Sequence, residues 1–316
     1  MSIALRSDEL RIASPARATG SRDVAVGIPA YNEERNIGRL LQSVLDQSAA
    51  GRIARIVVIA SDCNDATAEI ARSYAERDPR IEVIEEPVRR GKVYAVNRLL
   101  GLITEPIFVL SCADLCFNPT TLEKLLEPFD DASVGCVAAR PIPLNDKRSM
   151  VGFGVHMMWD MHHRVSSIVP KVGELMAFRN TIAAIDRVAL ADEVAIEQEI
   201  AQRGLRIVYA PLATVSNQGP TTFAEFYGQR KHWIAANYDC SRVRRYDVST
   251  LSLSNLVRAA IAFVRDERPR LDWFGFFAAV EVLCRIDAWN SYQIRGDRRR
   301  YQVWTPVATT KVLEGV

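Results

Sequence analysis

Val24-Ala25-Val26-Gly27-Ile28-Pro29-Ala30-Tyr31-Asn32-Glu33 leads an apolar run straight into an acid, and the same grammar returns twice. Ile56–Ala60 is followed by Asp62, within Ser61-Asp62-Cys63-Asn64-Asp65, and Ile107–Leu110 by Asp114, within Cys112-Ala113-Asp114. Short apolar runs bounded by polar turns read as buried strands, and ligands of an open parallel sheet gather outside the carboxyl ends of its strands. Three acids at three such ends outline a pocket for a polar ligand. Carboxylates at that density hold a sugar or a base by hydrogen bonds, or a hard cation by charge.

Between these runs lie helical patterns. Glu34–Gln47 places Ile37, Leu40, Leu41, Val44 and Leu45 on one face, and 91–103 repeats the pattern at 93, 96, 99, 100 and 103. Further helices are expected over 66–77, started by Asp65 or Thr67, and over 120–129. Further strands are expected at 81–84 and 134–139. Strands alternating with helices of this length imply βαβ units, right-handed crossovers and a mostly parallel sheet. Past Arg140 the alternation weakens. Helices are expected at 151–169, 193–203 and 222–237, with strands at 174–178 and at 207–210, the latter ended by Pro211.

A hydrophobic fraction of 48% and a charged fraction of 25% describe an ordinary soluble fold, and a net charge of +2 gives no reason to expect nucleic acid as a partner. The charge is uneven, because residues 241–316 hold thirteen Arg and Lys against eight Asp and Glu. That basic stretch contains two apolar, partly aromatic segments, 251–264 and 273–289, each interrupted by charge and too short for a comfortable membrane span. They suit helices lying on an anionic membrane surface, or equally helices packed on the rest of the chain. The six cysteines include no CxxC pair and read as reduced thiols of a cytoplasmic protein. Residues 1–22 have no apolar core and read as a flexible leader rather than a signal peptide. The expected division is therefore a leader over 1–22, a catalytic domain over 23–240 and a helical extension over 241–316.

No GxGxxG follows a strand, and Gly91-Lys92 lacks the rest of a P-loop, so dehydrogenase and P-loop chemistry are disfavoured. What is present resembles the family-2 glycosyltransferases, inverting enzymes of α/β GT-A fold. Ile28-Pro29-Ala30-Tyr31-Asn32-Glu33-Glu34 is similar to the first nucleotide-binding segment of that family, Ser61 to Thr67 to its Asp-rich turn, and Arg90-Gly91-Lys92 with Ala95-Val96-Asn97 to its Gly-Lys element. The resemblance implies that Pro29, Tyr31, Glu33, Asp62 and Lys92 hold a nucleotide-diphospho-sugar, UDP- or GDP-linked. It implies further that Asp114 holds Mn²⁺ or Mg²⁺, as the second acid of a DxD motif whose first acid is here Cys112. Counting back eleven residues from Gly204 reaches Glu193, which takes the family's base position beside Asp192. Glu197, one turn on, is a second choice for base, and a solvated helix face is the plainer reading for Glu197 and Glu199. Gln229-Arg230-Lys231-His232-Trp233 resembles the Gln-x-x-Arg-Trp motif, with His232 in place of the arginine. Arg230 and His232 are expected near the diphosphate, and Trp233 either against an acceptor sugar or in the core. His156, His162 and His163 read as polar surface or core residues. The implied activity is sugar transfer to a glycan or lipid-linked acceptor. A non-catalytic nucleotide-sugar binder and a sugar nucleotidyltransferase are the competing classes.

Overall fold

The computed structural model describes residues 22–243, 246–296 and 307–311. The leader expected over 1–22 therefore lies, except for Arg22, outside the described residues.

The first half follows the alternation of the sequence: β1 (Val24–Ala30), α1 (Ile37–Leu45), β2 (Ile53–Ser61), α2 (Thr67–Ala75), β3 (Ile81–Glu86), α3 (Lys92–Leu102) and β4 (Ile107–Ser111). Strand β1 pairs in parallel with β2, from Val24↔Ile53 to Ala30↔Ala60, and on its other edge with β4. Successive residues of β1 point to opposite faces. Val24, Val26 and Ile28 pack with Leu40, Leu41 and Val44 of α1, whereas Ala25 packs with Val96 and Leu99 of α3. Because both faces are covered, the strand reads as a continuous apolar run rather than an alternating one. At the head of α2, Asp65 accepts the Thr67 amide at 3.0 Å.

The second half departs from a purely parallel sheet. It comprises β5 (Leu115–Phe117), α4 (Thr121–Leu126), β6 (Val134–Pro143), α5 (Met150–Ser166), β7 (Leu175–Arg179), α6 (Asp192–Gln202), β8 (Arg206–Asn217) and α7 (Phe223–Val243). One eight-stranded sheet results, ordered β3-β2-β1-β4-β7-β6-β8-β5. Four of its seven pairings are parallel, and β7 runs antiparallel to both β4 and β6. The strand expected to stop at Pro211 instead continues to Asn217. Its pairing with β6 jumps from Ala138↔Tyr209 to Arg140↔Thr214, so Pro211 sits in a bulge where no ladder hydrogen bond is asked of it. The short strand β5, which pairs with the far end of β8, was not anticipated.

Helices α8 (Leu253–Glu267) and α9 (Leu271–Trp289) complete the described fold, and α7 runs through residue 240 without a break. A third apolar cluster joins Val155 and Trp159 of α5, Phe226 and Ile234 of α7, and Phe277, Val280 and Cys284 of α9. Gly154 lets α5 and α9 meet, since a Cβ there would overlap the Phe277 ring. Gly154→Ala is expected to lower stability by about 1–2 kcal/mol, overpacking outweighing the gain in helix propensity. A chemical denaturation midpoint unchanged or raised would show that α9 can shift without cost. Among the described residues no helix is long and apolar enough to cross a membrane.

Candidate active site

The strand order reverses between β1 and β4, which makes their carboxyl ends the topological switch point of the sheet. A cavity of about 790 Å³ opens there. Its walls come from the β1 and β4 ends, the first turns of α3 and α6, the amino end of β7, and one side of α5, α7, α8 and α9. Ten of the eleven predicted site residues line it: Pro29, Tyr31, Glu33, Lys92, Asp114, Glu193, Gln229, Arg230, His232 and Trp233. Asp62 does not line it; exposed and at φ 53°, it stands outside the wall that Ser61 completes.

The β1 and β2 turns are laced together. The Asn32 side chain donates to Asn64 Oδ1 at 2.8 Å and accepts the Asn64 amide at 3.0 Å, and the Glu33 amide donates to Thr67 Oγ1 at 2.6 Å. This fixes Glu33, which is 5% exposed, with Oε2 accepting from Asn36 at 2.9 Å and Oε1 paired with Lys311. Burial, reinforced by the charge of Asp114, pushes its carboxyl up to about 7 despite Lys311 and Asn36. Burial also raises Asp114. The Tyr31 ring carries the Arg89 guanidinium at 3.9 Å.

Gly91 turns at φ 97°, a conformation that favours glycine, and so delivers Lys92 as the first residue of α3. The Lys92 ammonium donates to Glu193 Oε1 at 2.6 Å, pairs with Asp192 Oδ2 at 3.1 Å and lies 3.4 Å from Cys112 Sγ. Its proton is held well above the usual lysine range, the Asp192 and Glu193 carboxylates outweighing burial. The two acids that share it are driven apart. Burial and the neighbouring Glu193 charge push Asp192 up to about 7, whereas Glu193, although buried, is held below the usual carboxylate range by Lys92. Both sit in the first turn of α6, where the helix dipole favours negative charge. Burial holds the Cys112 thiol well above its ordinary value, so it stays protonated at neutral pH.

Glu174 completes the acidic wall. Burial and Asp114 push it up to about 8, and Asn217 donates to its Oε2 at 2.6 Å. From the sequence, Glu174 was expected only as the start of a strand. An antiparallel strand brings its amino end to the carboxyl ends of its neighbours, and the Cys112 amide donates to Glu174 O at 3.2 Å. Lys311, likewise unanticipated, has no local motif to announce it.

Other expectations resolve differently. Arg230 is bound bidentately to Glu281 of α9 at 2.6 and 2.8 Å, which commits its fork to the protein. Burial lowers His232 to about 4, so at neutral pH it is an uncharged imidazole. Trp233 meets Trp159 edge to face at 5.6 Å, on the apolar side of the cavity. Glu197 is no solvated residue: 2% exposed, it accepts from Lys171 at 3.2 Å, the Val172 amide at 3.1 Å and the Tyr246 hydroxyl at 2.6 Å. Glu199, paired with Arg203 at 2.8 Å, does match the half-exposed face expected of it. His156, His162 and His163 bond to Asn145 O, Val172 O and Tyr209 Oη respectively. Among the described residues no three of His, Cys, Asp or Glu converge to hold an ion by themselves.

Comparison with known proteins agrees with this geometry. The family described as Glycosyl transferase family 2 matches residues 25–163, from β1 into α5. Residues 25–163 thus carry a family-2 glycosyltransferase domain. It is 32% identical over 117 residues to a dolichol-phosphate mannosyltransferase of Pyrococcus furiosus, covering 37% of this chain and 33% of that one. It is 24% identical over 236 residues to a pre-mycofactocin glycosyltransferase of Mycobacterium tuberculosis, covering 70% of this chain and 46% of that one. The matches thus span between a third and a half of the length of these relatives. A mannosyltransferase from Pyrobaculum calidifontis, solved with GDP-Man and Mn²⁺, superposes with a TM-score of 0.58 at 21% identity, over 90% of this chain and 86% of that one. The chain therefore has the α/β GT-A fold, with helices appended at its C-terminal side.

Proposed function

We propose that the chain transfers a sugar from a UDP- or GDP-linked donor to an acceptor hydroxyl, with inversion, by a single displacement. The observation that carries this is the pairing, across one cavity, of a carboxylate-lined switch point with a Lys92-held Glu193. The first suits a nucleotide's polar and charged groups, and the second a proton acceptor kept ionised at neutral pH. The similarity to enzymes named mannosyltransferase and glycosyltransferase supports the donor class.

A divalent cation fits this site. Glu33, Asp114 and Glu174 are all held above the usual carboxylate range by burial. Such crowded carboxyls would be relieved by a hard cation. Asp114 is the residue that would hold Mn²⁺ or Mg²⁺, with donor phosphate oxygens and water filling the remaining positions. When bound, the ion would neutralise charge on the departing diphosphate. Pro29, Tyr31 and Glu33 would seat the nucleotide, with Asp62 at its outer edge. Gln229, His232 and Trp233 would face the sugar and acceptor.

Part of the cavity wall is apolar, with Met157, Met158, Leu256, Phe274 and the exposed Val282. That favours a lipid-linked acceptor over a free glycan. Outward, Leu253, Val257 and Ile261 form an exposed stripe along α8, with Arg258 and Arg265 exposed beside it. This stripe suits peripheral contact with an anionic membrane, on its cytoplasmic face.

Asp114→Asn should lower metal-dependent donor turnover by about 10²-fold or more, measured as nucleoside diphosphate release by folded protein. Turnover equal to wild type would remove Asp114 from the metal site. A chain that binds donor but releases nothing in either form would be a binder, not a transferase.

A further inference from the structure

The walls of the switch-point crevice raise a charge problem for a diphosphate ligand. Glu33, Asp114 and Glu174 are all acids, and a dianion entering between them needs positive charge. Several cations that line the cavity are engaged by acids other than these three: Lys92 by Asp192 and Glu193, Lys171 by Glu197, and Arg230 by Glu281. Lys311 differs. Its ammonium donates to Tyr31 O at 3.0 Å and to the Glu33 carboxylate, which places it at the carboxyl end of β1, within the field of Asp114.

The segment that delivers it is docked rather than laid loosely over the opening. Residues 308–311 form a short helical turn. Thr309 Oγ1 donates to Glu225 Oε2 at 2.6 Å and accepts the Thr221 amide at 3.1 Å, while Val307 and Thr310 are buried. The dock is thus the start of α7, the helix that also carries Gln229, His232 and Trp233. Substitution of the first DxD acid by Cys112 leaves Asp114 as the motif's remaining carboxylate. A protein-borne cation beside it would supply part of the charge that a metal held by one acid must otherwise supply alone.

We propose that Lys311 is a donor-binding residue, whose ammonium exchanges the Glu33 carboxylate for the diphosphate oxygens of the nucleotide. This rests on the donor reading above and adds a residue to it. A lysine is a mobile point charge on a flexible stem, suited to such an exchange. In the ligand-free state the Glu33 pair keeps it in place, and in the bound state it would add its charge to that of a cation held by Asp114.

The test is calorimetric binding of UDP and GDP to the full chain, in EDTA and in Mn²⁺, for wild type, Lys311→Gln and Lys311→Arg, each with its melting temperature recorded. Uridine, guanosine and inorganic pyrophosphate serve as part-ligands. Loss of a charge-assisted contact should weaken nucleoside diphosphate and pyrophosphate binding about tenfold or more in Lys311→Gln. Lys311→Arg should stay within about threefold of wild type, and nucleoside binding should not change. Equal diphosphate affinity in wild type and Lys311→Gln would overturn the proposal. So would an equal loss of nucleoside and diphosphate binding, the mark of a merely structural strut. Wild type that binds neither diphosphate would instead overturn the donor reading itself.

Discussion

Glu193→Gln is expected to lower the rate of transfer by about 10²–10⁴-fold while nucleoside diphosphate affinity stays within about threefold. The carboxamide keeps the size of the side chain but cannot take up the acceptor's proton. Lys92 would retain Asp192 at 3.1 Å, so the ammonium keeps a partner and the donor side of the cavity is undisturbed. The prediction depends on the division of labour inside the pair. Asp192, 3% exposed and pushed up to about 7, is poorly placed to remain an acceptor at neutral pH, whereas Lys92 holds Glu193 ionised. The Glu193 carboxylate takes the shorter contact with the ammonium, at 2.6 Å. Single-turnover rates with saturating donor would check this. An unaffected Glu193→Gln beside a dead Asp192→Asn would move the base by one residue.

Lys171→Met is expected to cost about 3–5 kcal/mol of stability, the range for breaking a buried ion pair from one side. Lys171 and Glu197 are 4% and 2% exposed, and the methionine would leave the carboxylate with only the Val172 amide and the Tyr246 hydroxyl. This strut fixes the end of α5–β7 to α6, and thereby the angle at which α6 presents Glu193. Replacing both partners, Lys171→Met with Glu197→Leu, should restore much of the loss, because no charge is then stranded. Urea unfolding midpoints at constant slope would measure it. A single-variant cost below about 1 kcal/mol would mean that water reaches Glu197.

The parallel half of the sheet was legible because its strands are buried on both faces and its helices show one-sided apolar periods. The expected run Ile56–Ala60 falls inside β2, which begins three residues earlier at Ile53, and β1 starts at Val24 as expected. The other half was harder for physical reasons. Three residues suffice for β5, and a proline inside a strand is invisible as a bulge until its partner is known. Antiparallel β7 carries Glu174 into the site from its amino end, where the parallel expectation did not look for acids. Among site residues, Glu33, Lys92, Asp114 and Glu193 could be found because each follows a strand or opens a helix with a recognisable local sequence. Arg230 lines the cavity, but its partner Glu281 lies on a separate helix, so its ion pair could not be foreseen. Lys311 reaches Glu33 across nearly the whole length of the sequence. Only tertiary structure brings such a pair together.

The central claim is that this cavity splits a nucleotide-diphospho-sugar. The direct measurement is nucleoside diphosphate release from a panel of UDP- and GDP-sugars, with Mn²⁺, with Mg²⁺ and with EDTA, since a transferase without its acceptor still leaks sugar to water. The account predicts release from at least one donor, stimulated by the divalent ion, abolished in Asp114→Asn and strongly reduced in Glu193→Gln. No release from any donor under any of these conditions, by folded protein that nonetheless binds the nucleotides, would contradict it.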